Sequence, residues 1–516
     1  MPKSTRKSKA TVRPSVKRTA RLPVSIPAPG GYVAFTLSPE ALERSLLTGE
    51  SRGVLEDYFG PESYGLLRDL SRDASTRSVR GGPRVLILPG IMGSTLGKPG
   101  PLHILDVLWV NPLAIAFGRL TELALNGRTA AISATGVVLL AYLKLKLRLK
   151  IAGFDADFFP YDWRRSLKEA GAKLADAIRK DAAAQVSLVV HSMGGLVARA
   201  ALAAAGDKVS RLVMLGTPNY GSFAPAQVIR GTYDVVQKVA AADLKHNAAE
   251  LCDLVFNTFP GLYEMLPAPE KFGAVDLYDL SAWPQSGPKP RANLLSSVKP
   301  VIDALAPADN RFFLIAGVNQ DTVVGLHVKD GEFCYEISPD GDGTVPLAFA
   351  RLANIPESQV YYVEEGHGGL PNSGAVESAT IDLLSTGRTS ALPNVRPRAQ
   401  RATRTVSESQ LLEMAKRAPG VGQLGTSDYR HLLDAVAAPP SPETGAAAAL
   451  AAAASGTGPT QDLNPKFQNL TIGRTRQRRM KLTLAHGSIA EILGGRPDLQ
   501  GKSLEEVFLA LTGAET

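Results

Sequence analysis

Gln185–Ala200 reads QVSLVVHSMGGLVARA, and this stretch decides the fold. A short apolar run rich in Val and Leu enters His191-Ser192-Met193-Gly194-Gly195, and a small-residue helical pattern follows. A short continuous apolar run bounded by a turn is read as a buried strand. The stretch is therefore a strand, a sharp turn and a helix, with Ser192 at the apex. The two backbones nearly touch in a turn that tight, so the position two after the serine must be small. Gly194 meets that demand. Such a turn presents a hydroxyl at the top of a sheet, beside the first free N–H groups of a helix. Ser192 is thus a candidate nucleophile. The fuller pattern, G-x-S-x-G, has Gly where this chain has Val190. An ordinary strand–helix turn fits the stretch alone as well as a catalytic one does.

Working outward, Arg84–Leu88 (RVLIL) is a second buried strand, and it exits through Pro89-Gly90-Ile91-Met92-Gly93-Ser94. A glycine-bounded loop in this place can donate one backbone N–H to an oxyanion, and the residue after the nucleophile donates the other. Ile91 and Met193 are the candidates, through backbone and not side chain; a plain strand–helix turn is the alternative for the loop. Downstream, Arg211–Leu215 (RLVML) is a third strand, ending in Gly216–Ser222 (GTPNYGS), where Tyr220 is a candidate for substrate contact. Strands alternating with helical stretches predict a mostly parallel sheet with helices on both faces. Ser222–Ala308 has no strand signal and reads as a helical cap over the sheet's carboxyl edge. Phe312–Gly317 (FFLIAG) and Gln359–Val363 (QVYYV) resume the strands.

Two loops after these later strands carry chemistry. Ser338–Pro346 (SPDGDGTVP) follows the strand-like Phe333–Ile337, and Glu364–Gly369 (EEGHGG) follows the last strand. Ser192, Asp342 and His367 then fall in the chain order Ser, acid, His, each at a strand end, where open α/β sheets place their sites. Asp340 is the competitor to Asp342. His191 adjoins Ser192 but is expected to diverge from it, as neighbours in a tight turn do.

Other stretches allow two readings. The apolar Pro99–Leu123, with Trp109, reads as a buried helix or as a lid whose apolar face meets lipid. Val137–Ile151 contains LKLKLRLK and is predicted helical, its basic residues forming a solvated face. In Phe158–Arg165 (FFPYDWRR), Trp163 either fills space while Asp162 and Arg164 pair, or lines an acyl pocket.

The six motifs LILPGIMGS, PYDWR, VVHSMGG, LGTPNYGS, DGDGTVP and EEGHGG, in this order, resemble those of the lecithin:cholesterol acyltransferase family of α/β-hydrolases over roughly residues 82–380. That family includes lysosomal phospholipase A2 and the phospholipid:diacylglycerol acyltransferases. The resemblance implies a Ser192–Asp342–His367 triad, oxyanion amides at Ile91 and Met193, and a lid containing Trp109. It implies an acyl-enzyme mechanism on lipid esters, without metal or cofactor. Secreted and lysosomal members carry a lid disulfide, yet Leu96–Thr121 contains no Cys. The resemblance therefore bears on the mechanism more than on lecithin or sterol as substrates.

Composition bounds the rest. A length of 516 residues suggests about two to three domains. Cys252 and Cys334 make no disulfide framework and no C-x-x-C zinc site, which fits a reducing compartment. The net charge of +8 equals the eight Lys and Arg of residues 1–30, which hold no Asp or Glu. That tail is expected to be disordered, with no apolar segment of secretory type after its charges. No apolar run reaches the roughly 18 residues of a membrane span. A cytoplasmic or peripheral-membrane protein with no nucleic-acid partner is expected.

The expected organisation is a basic tail (1–30), an α/β-hydrolase domain (31–386, with a lid at about 97–121 and a cap at about 222–309), a linker with short helices and an Ala/Pro-rich tract (387–460), and a small C-terminal α+β appendage (461–516). Within the linker, Glu408–Lys416 and Tyr429–Ala437 read as helices; within the appendage, Asn469–Ile472 and Lys481–Ala485 read as strands, with a helix near 504–511. Two rival functions remain at this level: an esterase for small soluble esters, and a non-catalytic interaction protein on the same fold.

Overall fold

The computed structural model describes residues 38–416 except 78–81, 100–104, 112–113, 116, 127–131, 244 and 399–401, together with 470–474 and 478–482. The basic tail, Tyr429–Ala437, the Ala/Pro-rich tract and the helix expected near 504–511 lie outside the described residues.

Six parallel strands form the main sheet. In chain order they are β1 (Arg84–Leu88), β5 (Asp155–Phe158), β6 (Val186–His191), β7 (Val209–Leu215), β8 (Phe312–Gly317) and β11 (Val360–Val363). The numbers between belong to smaller sheets: β2 (Ser94–Pro99), β3 (Leu105–Trp109), β4 (Ser133–Val137), β9 (Thr322–Lys329) and β10 (Glu332–Ser338). The spatial order is β11-β8-β7-β6-β1-β5, and every pair in it is parallel. From β1 the chain builds β5 on one side, then crosses back to place β6 on the other. That reversal opens a crevice between the loops after β1 and β6, and ligands bind at such a point.

Alternation of side chains assigns the two faces. Val85, Ile87, Val189, Val213 and Ile315 pack with the helices Leu139–Ile151 and Gly374–Thr386. Leu86, Leu88, Leu188, Val190, Leu212 and Met214 pack with the helices Leu167–Lys180 and Met193–Ala205. A strand covered on both faces has no polar side to alternate with, which is why these strands read as unbroken apolar runs.

The structure departs from expectation in three places. Pro99–Leu123 is not a buried helix. It contributes β3, which joins β2 and β4 in an antiparallel sheet ordered β3-β2-β4, followed by a 3-10 turn at Arg119–Leu123. Leu105, Val107 and Trp109 recur with period two, a strand spacing that a count of apolar residues conceals. Val137–Ile151 is helical from Leu139, but its basic residues are not a solvated face. Lys146 is buried against Glu43 and Asp157, and Lys144 reaches Glu377.

The third departure concerns the expected linker. Residues 404–416 pack on the domain: β12 (Arg404–Ser407) pairs with β10 in a sheet ordered β12-β10-β9, and the helix Glu408–Lys416 follows. Glu408 forms a buried two-pronged ion pair with Arg230 of the cap. In the appendage, β13 (Leu470–Arg474) and β14 (Arg478–Leu482) pair antiparallel. Among the described residues no helix is long and apolar enough to cross a membrane.

Candidate active site

Ser192 sits between the end of β6 and the first turn of the helix Met193–Ala205, with φ 53° and ψ −127°. Positive φ in a residue with a Cβ costs on the order of 1–3 kcal/mol and persists only where the surroundings enforce it. They do so here. A Cβ on Gly194 would lie 2.7 Å from the Pro89 carbonyl oxygen, and one on Gly195 would lie 2.1 Å from Thr217 Oγ1. The sequence motif thus needs both glycines for contact with β1 and with the loop after β7. Val190 is fully buried in the core, so at this position the sheet accepts a full side chain.

The Ser192 hydroxyl lies 2.8 Å from His367 Nε2, and His367 Nδ1 lies 2.7 Å from Asp342 Oδ2. His367 opens a 3-10 turn (His367–Asn372) just beyond β11. Its backbone N–H donates to the Asp342 carbonyl at 2.7 Å. Asp342 is 2% exposed; its Oδ1 accepts from the backbone N–H groups of Thr344 (3.0 Å) and Val345 (2.8 Å). These donors fix the carboxylate so that Oδ2 faces the imidazole. Asp340 is half exposed, and its carboxylate pairs with Arg396. It takes no part in the arrangement.

The structure brings Asp342 to the site by a route the sequence does not show. The strand before it, β10, belongs to the small antiparallel sheet and not to the main one. Asp342 returns to the main sheet by bridging Gln320 just past β8. Two glycines admit it: a Cβ on Gly317 would lie 2.5 Å from the Asp342 Cβ, and one on Gly216 would lie 2.9 Å from Asp342 Oδ2 and 3.1 Å from His367 Nδ1. The Gly216 signal is present in LGTPNYGS but says nothing of its partner.

His191 does not diverge from the site. Its ring packs on that of His367 with centroids 4.8 Å apart, and its Nε2 lies 2.9 Å from the His367 carbonyl oxygen. Burial and the neighbouring His367 hold the His191 pKa well below the usual value. Tyr142, which the sequence analysis did not single out, meets His191 Nδ1 at 2.8 Å.

A cleft opens on Ser192 and His367, lined among others by Ile91, Met92, Val228, Tyr233 and Thr344. Ile91 thus edges the cleft. Met193 is the first helical residue after Ser192, a position whose N–H has no acceptor inside the helix. A second, apolar cavity shares Ile91, Met92, Val228, Tyr233 and Leu262 with the first. Trp109 and Trp163 line it, packed edge to face with centroids 5.6 Å apart. Trp163 is buried and faces this cavity, and Arg164 and Asp162 pair as the space-filling reading of FFPYDWRR expects. Tyr220 lines neither cavity. Gly221, at φ 84°, turns the chain there, and the Tyr220 hydroxyl accepts from the Ala353 N–H at 3.0 Å. It joins the cap to the loop after Asp342 and is not placed to touch a ligand in either cavity.

Residues 142–277, which contain Ser192 and roughly the first two-thirds of the cap, match the family described as a PGAP1-like alpha/beta domain. No curated protein matches the chain. Among solved structures, the chain is similar to that of the Tle4–Tli4 complex, with 16% identity, 59% of this chain and 98% of that chain covered, and a TM-score of 0.40. It is also similar to Bacillus licheniformis lipase BlEst2 in mature form (16% identity, 56% and 85% covered, TM-score 0.28) and to Aspergillus fumigatus lipase B (13% identity, 69% and 63% covered, TM-score 0.30). The chain has an α/β-hydrolase-type fold, a six-stranded parallel sheet flanked by helices, within which residues 142–277 resemble a PGAP1-like alpha/beta domain.

Proposed function

We propose that the protein is a serine-dependent acyl-transfer enzyme acting on lipid esters, with Ser192 as nucleophile, His367 as general base and Asp342 as its orienting acid. The observation that carries this reading is the unbroken hydrogen-bonded series Asp342–His367–Ser192, opening on a cleft that continues into an apolar cavity. Asp342 accepts from His367 Nδ1–H, which leaves Nε2 free to take the Ser192 proton. Ser192 Oγ attacks the ester carbonyl, and the oxyanion is met by the backbone N–H groups of Ile91 and Met193. Loss of one such donor raises the barrier by about 3–4 kcal/mol. His367 then gives its proton to the departing alcohol. The acyl-enzyme is released by water in a hydrolase, or by a second alcohol in an O-acyltransferase.

The order of motifs supports membership of the lecithin:cholesterol acyltransferase type, and the apolar cavity supports an acyl chain as the group held. Trp109 and Trp163 are proposed to line the acyl site, which would sit where the β2–β4 sheet meets the cap. A substrate of this kind puts the reaction at a membrane or micelle surface.

A fluorophosphonate probe tests the reading. Wild type is expected to label at one site, and Ser192→Ala not at all; an unlabelled wild type removes the enzymatic reading. Phospholipid vesicles and soluble short-chain esters then separate the substrates. Equal or better turnover of the soluble esters would replace the lipid reading with that of a small-ester esterase.

A further inference from the structure

The hydrogen bonds that the triad leaves out form a second series. The Gly90 N–H donates to the Tyr142 hydroxyl at 3.0 Å, and that hydroxyl lies 2.8 Å from His191 Nδ1. His191 Nε2 lies 2.9 Å from the His367 carbonyl oxygen. A carbonyl only accepts, so His191 Nε2 carries a proton and donates. Burial holds the His191 pKa well below the usual value, so its Nδ1 is unprotonated and accepts the Tyr142 proton, while the Tyr142 oxygen accepts from Gly90. His191 is then neutral, in the tautomer protonated at Nε2. Tyr142 and His191 are both buried, 3% and 6% exposed.

Each end of this series matters to a reaction at Ser192. Gly90 precedes Ile91, and a Cβ on it would lie 2.8 Å from the Ser192 Cβ, so the loop after β1 passes directly over the serine. At the other end, the peptide groups of His367 are held on both sides. Its N–H donates to the Asp342 carbonyl, and its C=O accepts from His191. Four elements thus meet through two side chains: the loop after β1, the helix Leu139–Ile151, the end of β6 and the 3-10 turn after β11. We propose that Tyr142 and His191 are positioning residues, which lock the oxyanion loop at Gly90–Ile91 and the backbone of His367 into one register around Ser192. The proposal rests on the triad reading given above. Both border the cleft, but neither is a member of the triad, and they act through Gly90 and His367. A neutral His191 also leaves the His367 ring free of a facing positive charge when His367 takes the proton.

Kinetics of the full-length chain test this, with the fluorophosphonate labelling rate and kcat and KM on a soluble short-chain ester as readouts. Tyr142→Phe removes one oxygen and keeps the ring. It is expected to lower kcat and the labelling rate about 10- to 100-fold, with KM within about twofold, because a small misplacement of catalytic groups has this cost. His191→Phe is expected to fall at least as far. His191→Gln, whose amide N–H can reach the His367 carbonyl, is expected to recover most of the loss. Wild-type kcat in Tyr142→Phe overturns the proposal, as does a His191→Gln variant no faster than His191→Phe. Should His191→Phe fail to melt cooperatively, the comparison of Tyr142→Phe with wild type decides. If wild type fails to label at Ser192, the triad reading falls and takes the relay with it; if wild type and Tyr142→Phe label equally fast, the relay alone is wrong.

Discussion

Ser192 and Asp342 meet the same imidazole, yet the chain builds their positions in opposite ways. Ser192 is held by what adjoins it in sequence: β6 before it, a helix after it, and Gly194 and Gly195 against neighbouring strands. Asp342 is held by what is distant: Gln320 beyond β8, the gap at Gly216, and a small sheet completed by β12 some sixty residues later. A local device can be read as a motif, whereas a non-local one must be assembled before it means anything. The comparison is broken most directly at the acid. Asp342→Asn keeps the shape but lets His367 take the wrong tautomer, and kcat is expected to fall about 10⁴-fold. Asp340→Asn, two residues away in the same turn, is expected to leave kcat within about twofold. Equal losses in the two variants would mean that the turn matters as a unit and not through the carboxylate facing His367.

The next largest effect is expected in the scaffold on the acid's side. Arg230, at the end of the cap helix Ala224–Ile229, donates to both oxygens of Glu408 at 2.9 Å and to the Ser286 and Pro288 carbonyls at 2.7 and 2.6 Å. The residues after the last main-sheet helix thereby clamp the cap, whose Val228 lines both cavities. Glu408→Ala leaves a buried guanidinium without its partner and is expected to destabilise the domain by about 3–5 kcal/mol. Arg396→Ala, which breaks the half-exposed pair with Asp340, is expected to cost under about 1 kcal/mol. Chemical denaturation measures both. Similar values for the two would show that residues 404–416 are attached to the domain without bracing it.

The same contrast explains what was legible in the sequence. Arg84–Leu88, Phe312–Gly317 and the elbow were readable because a strand buried on both faces must be apolar throughout, and a sharp turn must carry glycine. Ser192 follows β6 and His367 follows β11 as expected, while Asp342 follows β10 of the small sheet and reaches them through its bridge to Gln320. Within Pro99–Leu123, read as a buried helix or a lid, Leu105–Trp109 is a strand because antiparallel strands take their pattern from partners that the sequence does not name. Tyr142 lies in a helix whose apolar face already accounts for it, and nothing local marks its hydroxyl as a link to His191. Residues 404–416 read as a linker because the partner of Glu408 lies 178 positions earlier.

The smallest expected effect concerns a second carboxyl that holds the cap, and it differs from Glu408 in having a backbone amide where Glu408 has a guanidinium. Glu264, 2% exposed, accepts from the Leu167 N–H at 2.6 Å, at the start of the helix Leu167–Lys180. Burial pushes its pKa from 4.5 to about 7, with the amide and the Ser166 hydroxyl offsetting part of the shift. The folded chain therefore keeps this proton between pH 4.5 and 7, where the unfolded chain has lost it. Stability must fall as pH rises through that window and level off above it, by up to about 3 kcal/mol from this group. Glu264→Gln keeps an acceptor for Leu167 but has no proton to lose. Thermal or denaturant unfolding of the two proteins from pH 4 to 8 is expected to show the variant gaining on wild type across pH 4.5–7 and holding its lead above pH 7. Parallel curves would mean that the Leu167 amide stabilises the ionised Glu264 carboxylate well enough to offset its burial, and that this attachment of the cap does not weaken as pH rises.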